Sequence, residues 1–265
     1  MPEAYHILAQ VYDRLQQAHD VSAWAAFIHR INLRQSKKTL SGDGRGGRPL
    51  LLDLGCGTGR FCLAMEQLGY DPIGIDLSAT MLQQARERAA ASASQAFFIQ
   101  QDISRFELFG TVDLITCLLD TVNHLLRQDQ VRRLFRLCAN YLNPGCLFIL
   151  DLATRYHLET TLGQEFFFQD LPATKDDPAV SLFWQNHWTA ARNLSQSELI
   201  LYSQLEDGNF QRLDTEIRER WYDCTQLEIW AAEAGLDRVG HYGELHLSAP
   251  RIKEERQFLV FRRPV

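Results

Sequence analysis

The stretch "LLDLGCGTGRF", ending at Phe61, places three glycines at alternate positions, Gly55, Gly57 and Gly59, behind an apolar run with one acid, Asp53. Glycine lets a backbone turn sharply and come close to a ligand, because it has no side chain to clash. Loops of this kind hold dinucleotides, nucleotide phosphates or adenosylated cofactors. A dinucleotide loop needs G-x-G-x-x-G with its third glycine inside the following helix, and position 60 is Arg. A phosphate loop needs G-x-x-x-x-G-K-[ST], which the chain lacks here. What remains is D-x-G-x-G-x-G, with a second acid, Asp76, at the end of the next apolar run.

The elements that must position these residues follow from periodicity. "LLLDL", "PIGIDL", "AFFIQQD", "VDLITC" and "CLFILDL" read as five short buried strands. Between them, "RFCLAMEQLG", "ATMLQQARERAAA" and "QVRRLFRLCANYL" read as helices, with Ser78 as an N-cap for the second. Strand and helix therefore alternate from residue 50 to about 152, the pattern of right-handed crossovers on a parallel sheet. Ligands of such doubly wound sheets bind beyond the carboxyl ends of the strands. After Asp151 the pattern becomes "EFFFQD", "SLFWQNHW", "ELILYSQLE" and "NFQRLDTEIRERWY", antiparallel strands with a "DGN" hairpin turn. Helix returns in "TQLEIWAAEAG", followed by two closing strands.

This predicts an α/β chain with a doubly wound, mostly parallel seven-stranded sheet and an antiparallel insert. The expected partition is a helical arm or lid over 1–33, a flexible linker over 34–48, a ligand-binding domain over 49–154 and 223–265, and the insert over 155–222.

The order of these stations resembles the class I S-adenosylmethionine-dependent methyltransferases, strongly over residues 50–152 and more loosely over the insert. The resemblance implies that Asp53, Gly55, Cys56, Gly57 and Gly59 cradle the methionine end of S-adenosylmethionine. It implies that Asp76 accepts the ribose hydroxyls, with Leu77 beside it. Asp102 of "QQDIS" would meet the adenine amino group, with Ile103 and Met81 against the ring; Met81 reads equally well as helix core. Leu118 and Leu119 of "LITCLLDTVNHL" would frame the reacting methyl. The N-terminal "YHILAQVYDRL" resembles a lid helix, with Tyr5 and Tyr12 closing over the cofactor. Together with "D-[ST]-x-N-[HY]-L" and the insert, it resembles a bacterial subgroup of the family.

Catalysis then reduces to aligning an acceptor with an already activated methyl group. His124, helped by Asp120, is the candidate base if the acceptor arrives protonated, although a lone histidine reads better as packing or substrate contact. Candidate substrate residues are Asn123, Trp184, His187, Trp188 and Tyr222. The aromatic ones read equally well as sheet packing, as a cage for a cationic amine or as a dimer face.

With 46% hydrophobic and 11% aromatic residues the chain can bury a sizeable core. Its formal net charge of −6 argues against wrapping a phosphate backbone. The six cysteines are scattered without a CxxC pair, which points to buried thiols in a reducing compartment rather than a metal site. No membrane-length apolar run and no signal pattern is present, so the expected setting is the cytoplasm, as a monomer or homodimer. The expected reaction is methyl transfer to N or O, less readily C, of a small molecule. Two readings stay open beside it: a regulatory module that binds the cofactor without transfer, and an RNA-directed enzyme.

Overall fold

The computed structural model describes residues 2–16, 20–38, 42–175 and 177–265. Two helices open the chain, α1 (Pro2–Leu15) and α2 (Val21–Gln35). Then β1 (Leu50–Leu54), α3 (Arg60–Gln67), β2 (Asp71–Asp76), α4 (Ala79–Ala91), β3 (Phe97–Gln100), β4 (Val112–Cys117), α5 (Gln128–Tyr141) and β5 (Leu142–Ala153) alternate. The insert supplies β6 (Phe166–Leu171), β7 (Val180–Thr189), β8 (Leu194–Gln204) and β9 (Phe210–Arg220). The chain closes with α6 (Cys224–Glu233), β10 (Asp237–Gly243) and β11 (Arg256–Arg262).

The seven-stranded sheet runs β10-β11-β5-β4-β1-β2-β3, and β6 to β9 form a separate four-stranded antiparallel sheet in sequence order. In the large sheet only β11 runs against its neighbours. The chain winds outward from β1 to β3, then returns to β4 on the other flank of β1. That reversal opens a crevice at the carboxyl ends of β1 and β4, where ligands of such sheets bind.

Alternation along each strand builds two cores. Leu52, Leu54, Ile115, Phe148, Leu150, Leu259 and Phe261 face α5 and α6. Leu51, Leu114, Leu147, Ile149, Phe258 and Val260 face α2, through Trp24, Phe27, Ile28 and Ile31. The two N-terminal helices, which periodicity placed in one arm, therefore do different jobs. Asp20 caps α2 through the amides of Ser22 and Ala23, both at 3.0 Å, and α2 belongs to the core of the large sheet. In α1, by contrast, Leu8, Val11 and Leu15 pack on Leu182, Leu199, Leu201 and Ile217 of the insert. Gln84 donates to the Ala9 carbonyl at 2.8 Å, and Arg88 of α4 pairs with Asp13, so α1 spans from α4 to the small sheet.

Residues 39–41 of the expected linker lie outside the described residues. Its described part is tied to the edge of the sheet opposite the crevice: Lys38 pairs with Asp113 and Arg45 with Asp71. Phe258 is fully buried, with ring centroids 5.2 Å from Trp24 and 5.1 Å from Phe27. Phe258→Ala should cost about 3–5 kcal/mol in a denaturant titration, whereas Phe109→Ala, at a fully exposed ring, should stay within about 0.5 kcal/mol. Equal midpoints for the two variants would contradict this packing.

Candidate active site

The glycine loop leaves β1 at Leu54 and enters α3 at Arg60. Gly55, Gly57 and Gly59 all have positive φ (77°, 53° and 76°), which residues with side chains adopt only with strain. A Cβ on Gly55 would lie 2.4 Å from the Thr121 side chain, so a larger residue cannot fit. A Cβ on Gly57 would meet nothing nearer than Tyr12 at 3.9 Å, so this backbone lines open space. Gly59 differs: its missing side chain makes room for Phe98 and Ala85, and it supports packing rather than lining the cavity.

Asp76 braces the loop from the end of β2. Its Oδ2 accepts from the Gly57 amide at 2.9 Å and its Oδ1 from the Ser78 amide at 2.8 Å. Burial pushes its pKa up, opposed by these amide hydrogen bonds. Each oxygen keeps a lone pair for a further donor. Ser78 caps α4 by accepting from the Met81 amide at 3.3 Å.

A cavity of about 190 Å³ occupies the crevice. Asp53, Gly55, Cys56, Gly57, Asp76, Leu77, Met81, Asp102, Ile103, Leu118 and Leu119 all line it, and Tyr5 and Tyr12 of α1 roof it. Asp102 is burdened by desolvation, but donors from Ser104 (2.8 Å) and Arg105 (3.0 Å) prevail and hold its pKa below the usual carboxylate range. It therefore stays an acceptor, as an amino group requires. Asp53 accepts from Thr116 at 2.8 Å and from the Cys62 thiol at 3.6 Å, and burial pushes its pKa up to about 6.

Residues 51–145 match the family model described as a methyltransferase domain. A protein of Geobacillus sp. (strain WCH70) that bears a provisional methyltransferase name is 29% identical over 256 residues, covering 97% of this chain and 98% of its own. Residues 51–145 thus form a methyltransferase domain, and the chain as a whole has the class I S-adenosylmethionine-dependent methyltransferase fold. Among solved structures, an S-adenosylmethionine-dependent methyltransferase from Clostridium acetobutylicum ATCC 824 superposes with a TM-score of 0.82 at 24% identity, over 99% of this chain and all of that one. The sugar N-methyltransferase KedS8 of Streptoalloteichus sp. ATCC 53650 superposes with a TM-score of 0.77 at 19% identity, over 96% and 93% of the two chains. Both share the fold of this chain.

Beside this cavity lies a second one of about 220 Å³, which shares Tyr5, Tyr12, Gln16, Leu119 and His124 with the first. Its remaining polar lining is Asp120, His157, Trp184, Glu219 and Arg256. Leu119 and Asp120 both adopt left-handed backbone, with φ of 51° and 59°, at a cost of about 1–3 kcal/mol each. Arg256 holds that turn, donating to Asp120 at 2.8 Å and to the fully buried Asp151 at 2.7 Å.

Several candidate residues have other duties. Asp120 pairs with Arg256 rather than supporting His124 by a hydrogen bond. His124 Nδ1 faces the Arg218 carbonyl at 3.3 Å, which can only accept, so that nitrogen carries the proton. Its Nε2 then accepts from the Tyr5 hydroxyl at 2.7 Å, and burial lowers the ring's pKa. His124 is thus a neutral orienter of Tyr5, with its basic nitrogen already engaged. Asn123 is fully buried, donating to the Arg220 carbonyl at 2.8 Å and accepting from the Ala153 amide at 3.2 Å. Its amide stitches the turn to β5 and the insert, which corrects its assignment to substrate. Tyr222 is corrected likewise: it is buried on Trp230 and donates to the Leu125 carbonyl. His187 and Trp188 line neither cavity, and His187 is exposed. Trp184 does line the second one, its indole donating to Asn186 at 2.8 Å.

Spacing missed Glu219, Arg256 and His157. None sits in a local motif, and only the fold joins them to the crevice.

The raised pKa of Asp53 fixes a pH dependence. In the folded state it binds its proton more tightly than in the unfolded chain, so its contribution is full below about pH 4 and is lost as pH rises to about 6. Stability measured against Asp53→Asn, which cannot ionise, should therefore fall for the natural protein across that window. Parallel stability curves would show that Asp53 is not desolvated as described.

Proposed function

We propose that the protein moves a methyl group from S-adenosylmethionine to a nitrogen or oxygen of a small-molecule acceptor. The observation that carries this reading is the second cavity. It adjoins the donor pocket, shares one wall with it, and lies under α1 against the insert sheet, where a small molecule fits. The net charge of −6 supports the same choice over RNA, and fits a cytoplasmic enzyme acting as a monomer or homodimer.

The donor pocket meets the demands of the cofactor on its own terms. The space over Gly57, which a Cβ would fill, suits a close backbone approach to the methionine portion. Asp76 would accept the ribose hydroxyls with the lone pairs its amide bonds leave free. Met81, Ile103 and Leu77 would cover the adenine, with Asp102 at its amino group. When bound, S-adenosylmethionine supplies a methyl group already activated on a sulfonium. The residues therefore have to align the acceptor, exclude water and, for a protonated nucleophile, remove a proton.

Tyr5 stands at the boundary between the cavities. Burial raises its pKa well above the usual value, so its hydroxyl stays protonated and points to His124. Tyr12 is raised by the same cause. The pair would act as a shaped, uncharged screen between donor and acceptor. Leu118 and Leu119 would close the methyl path from below.

Asp76→Ala should weaken calorimetric binding of S-adenosylhomocysteine by about 1.5–3 kcal/mol while leaving the protein folded. Unchanged affinity would remove Asp76 from the donor site. With labelled S-adenosylmethionine, label should pass to low-molecular-weight amines or alcohols; transfer confined to RNA or protein would overturn the small-molecule reading. His124→Phe and Tyr5→Phe should slow transfer by similar factors, and the double variant by little more, because the two act as one unit. Loss of an acid limb from the pH profile in His124→Phe alone would instead make His124 the base.

A further inference from the structure

The second cavity holds an excess of buried negative charge. Asp120 and Glu219 line it, Asp151 lies behind it, and the guanidinium of Arg256 is the one buried cation among the described residues that faces them. That guanidinium is committed to Asp120 and Asp151. Glu219 is 9% exposed and receives no side-chain hydrogen bond from any described residue. Its nearest basic atom is Nε2 of His124, 4.0 Å away, and that nitrogen already accepts from Tyr5. Asp120 Oδ1 is also buried without a partner among the described residues.

A buried carboxylate without a counter-charge must either take a proton or receive a cation. Among the described residues, the groups around Glu219 supply no cation of its own: Arg256, which pulls its pKa down, has its two terminal nitrogens on Asp120 and Asp151. The turn after β4 brings Asp120 and neutral His124, β11 brings Arg256, the turn after β5 brings His157, and α1 brings the hydroxyls of Tyr5 and Tyr12. Burial lowers the pKa of both histidines, and burial with the nearby Asp120 raises that of Glu219. Meanwhile Tyr5, Tyr12 and Trp184 offer aromatic faces, which favour a cation over an anion.

We propose that the acceptor is a primary or secondary amine that enters this cavity as its ammonium ion, and that Glu219 both selects it and takes its proton. This rests on the methyltransferase reading above. An anionic acceptor would meet two carboxylates, and an alcohol would leave Glu219 without a counter-charge. The step balances without any change of oxidation state at Glu219. R–NH₃⁺ and the Glu219 carboxylate become R–NH₂ and the Glu219 carboxylic acid. The neutral nitrogen's lone pair then forms the N–C bond as the methyl–sulfur bond breaks, with that bond's electron pair left on sulfur. The positive charge of the sulfonium ends on the methylated ammonium. A carboxylate whose proton affinity is raised by burial is a better match for an ammonium than an exposed one.

The test uses cyclohexylamine and cyclohexanol, matched in shape, titrated calorimetrically into the protein saturated with S-adenosylhomocysteine. The amine should bind about tenfold or more tightly than the alcohol at about pH 9, where Glu219 is ionised and the amine is still an ammonium, and the preference should fade as pH falls through about 8, where burial places the Glu219 titration. Glu219→Gln should bring the two ligands within about twofold, and Glu219→Asp should keep the amine preferred. Binding of S-adenosylhomocysteine to each variant, outside whose pocket Glu219 lies, shows that it is folded. Equal affinity for amine and alcohol, no amine binding, or a preference that survives in Glu219→Gln would overturn the proposal. Failure of S-adenosylhomocysteine to bind the natural protein would instead sink the donor site, and this proposal with it.

Discussion

A single guanidinium, that of Arg256, sits between the fully buried carboxylate of Asp151 and the half-buried one of Asp120 and holds the crevice together. It joins β11 to Asp151 on β5 and to Asp120 in the turn after β4, and it lies 5.3 Å over the Trp24 ring of α2. Buried ions persist only when paired, and loss of one partner leaves the others uncompensated. Here the pairing also offsets the strain of two consecutive left-handed residues, Leu119 and Asp120. Leu119 lines both cavities and Asp120 the second. Position, charge and strain at the switch point of the sheet thus depend on one side chain.

Asp76 does the matching work at the glycine loop. Its bonds to Gly57 and Ser78 fix the glycine loop against the start of α4. The loop in turn touches α1: Thr58 donates to Asp13 at 2.7 Å, and Arg88 joins Asp13 to the Thr58 carbonyl. Since α1 also packs on the insert sheet, the roof of both cavities is anchored at the glycine loop and at β7 to β9. The two cavities are therefore joined under one amphipathic helix, with Tyr5 and Tyr12 lining both.

The donor half was legible because its parts are local. A glycine run after a strand, an acid at the end of the next strand and an acid after the third recur at short spacing, and the alternation of strand and helix says which ends meet. The seven-stranded sheet and the antiparallel insert were legible for the same reason, since period and turn residues carry them. The acceptor half was not. Arg256 lies 136 residues beyond Asp120, and Glu219 reaches the crevice only because β9 folds back past it. Asn123 and Tyr222 looked available for substrate because their side chains are polar. The structure spends that polarity on backbone carbonyls and an amide. His187 and Trp188 also looked available, yet line neither cavity. Tautomer logic at His124 needed the Arg218 carbonyl, 94 residues away.

The most direct measurement is a crystal structure of the protein with S-adenosylhomocysteine. The ribose hydroxyls should lie within hydrogen-bonding distance of both Asp76 oxygens, with the sulfur turned past Leu119 toward the cavity of Glu219. A ligand bound away from Asp76, or one whose sulfur faces bulk water instead of that cavity, would contradict the arrangement of the two sites.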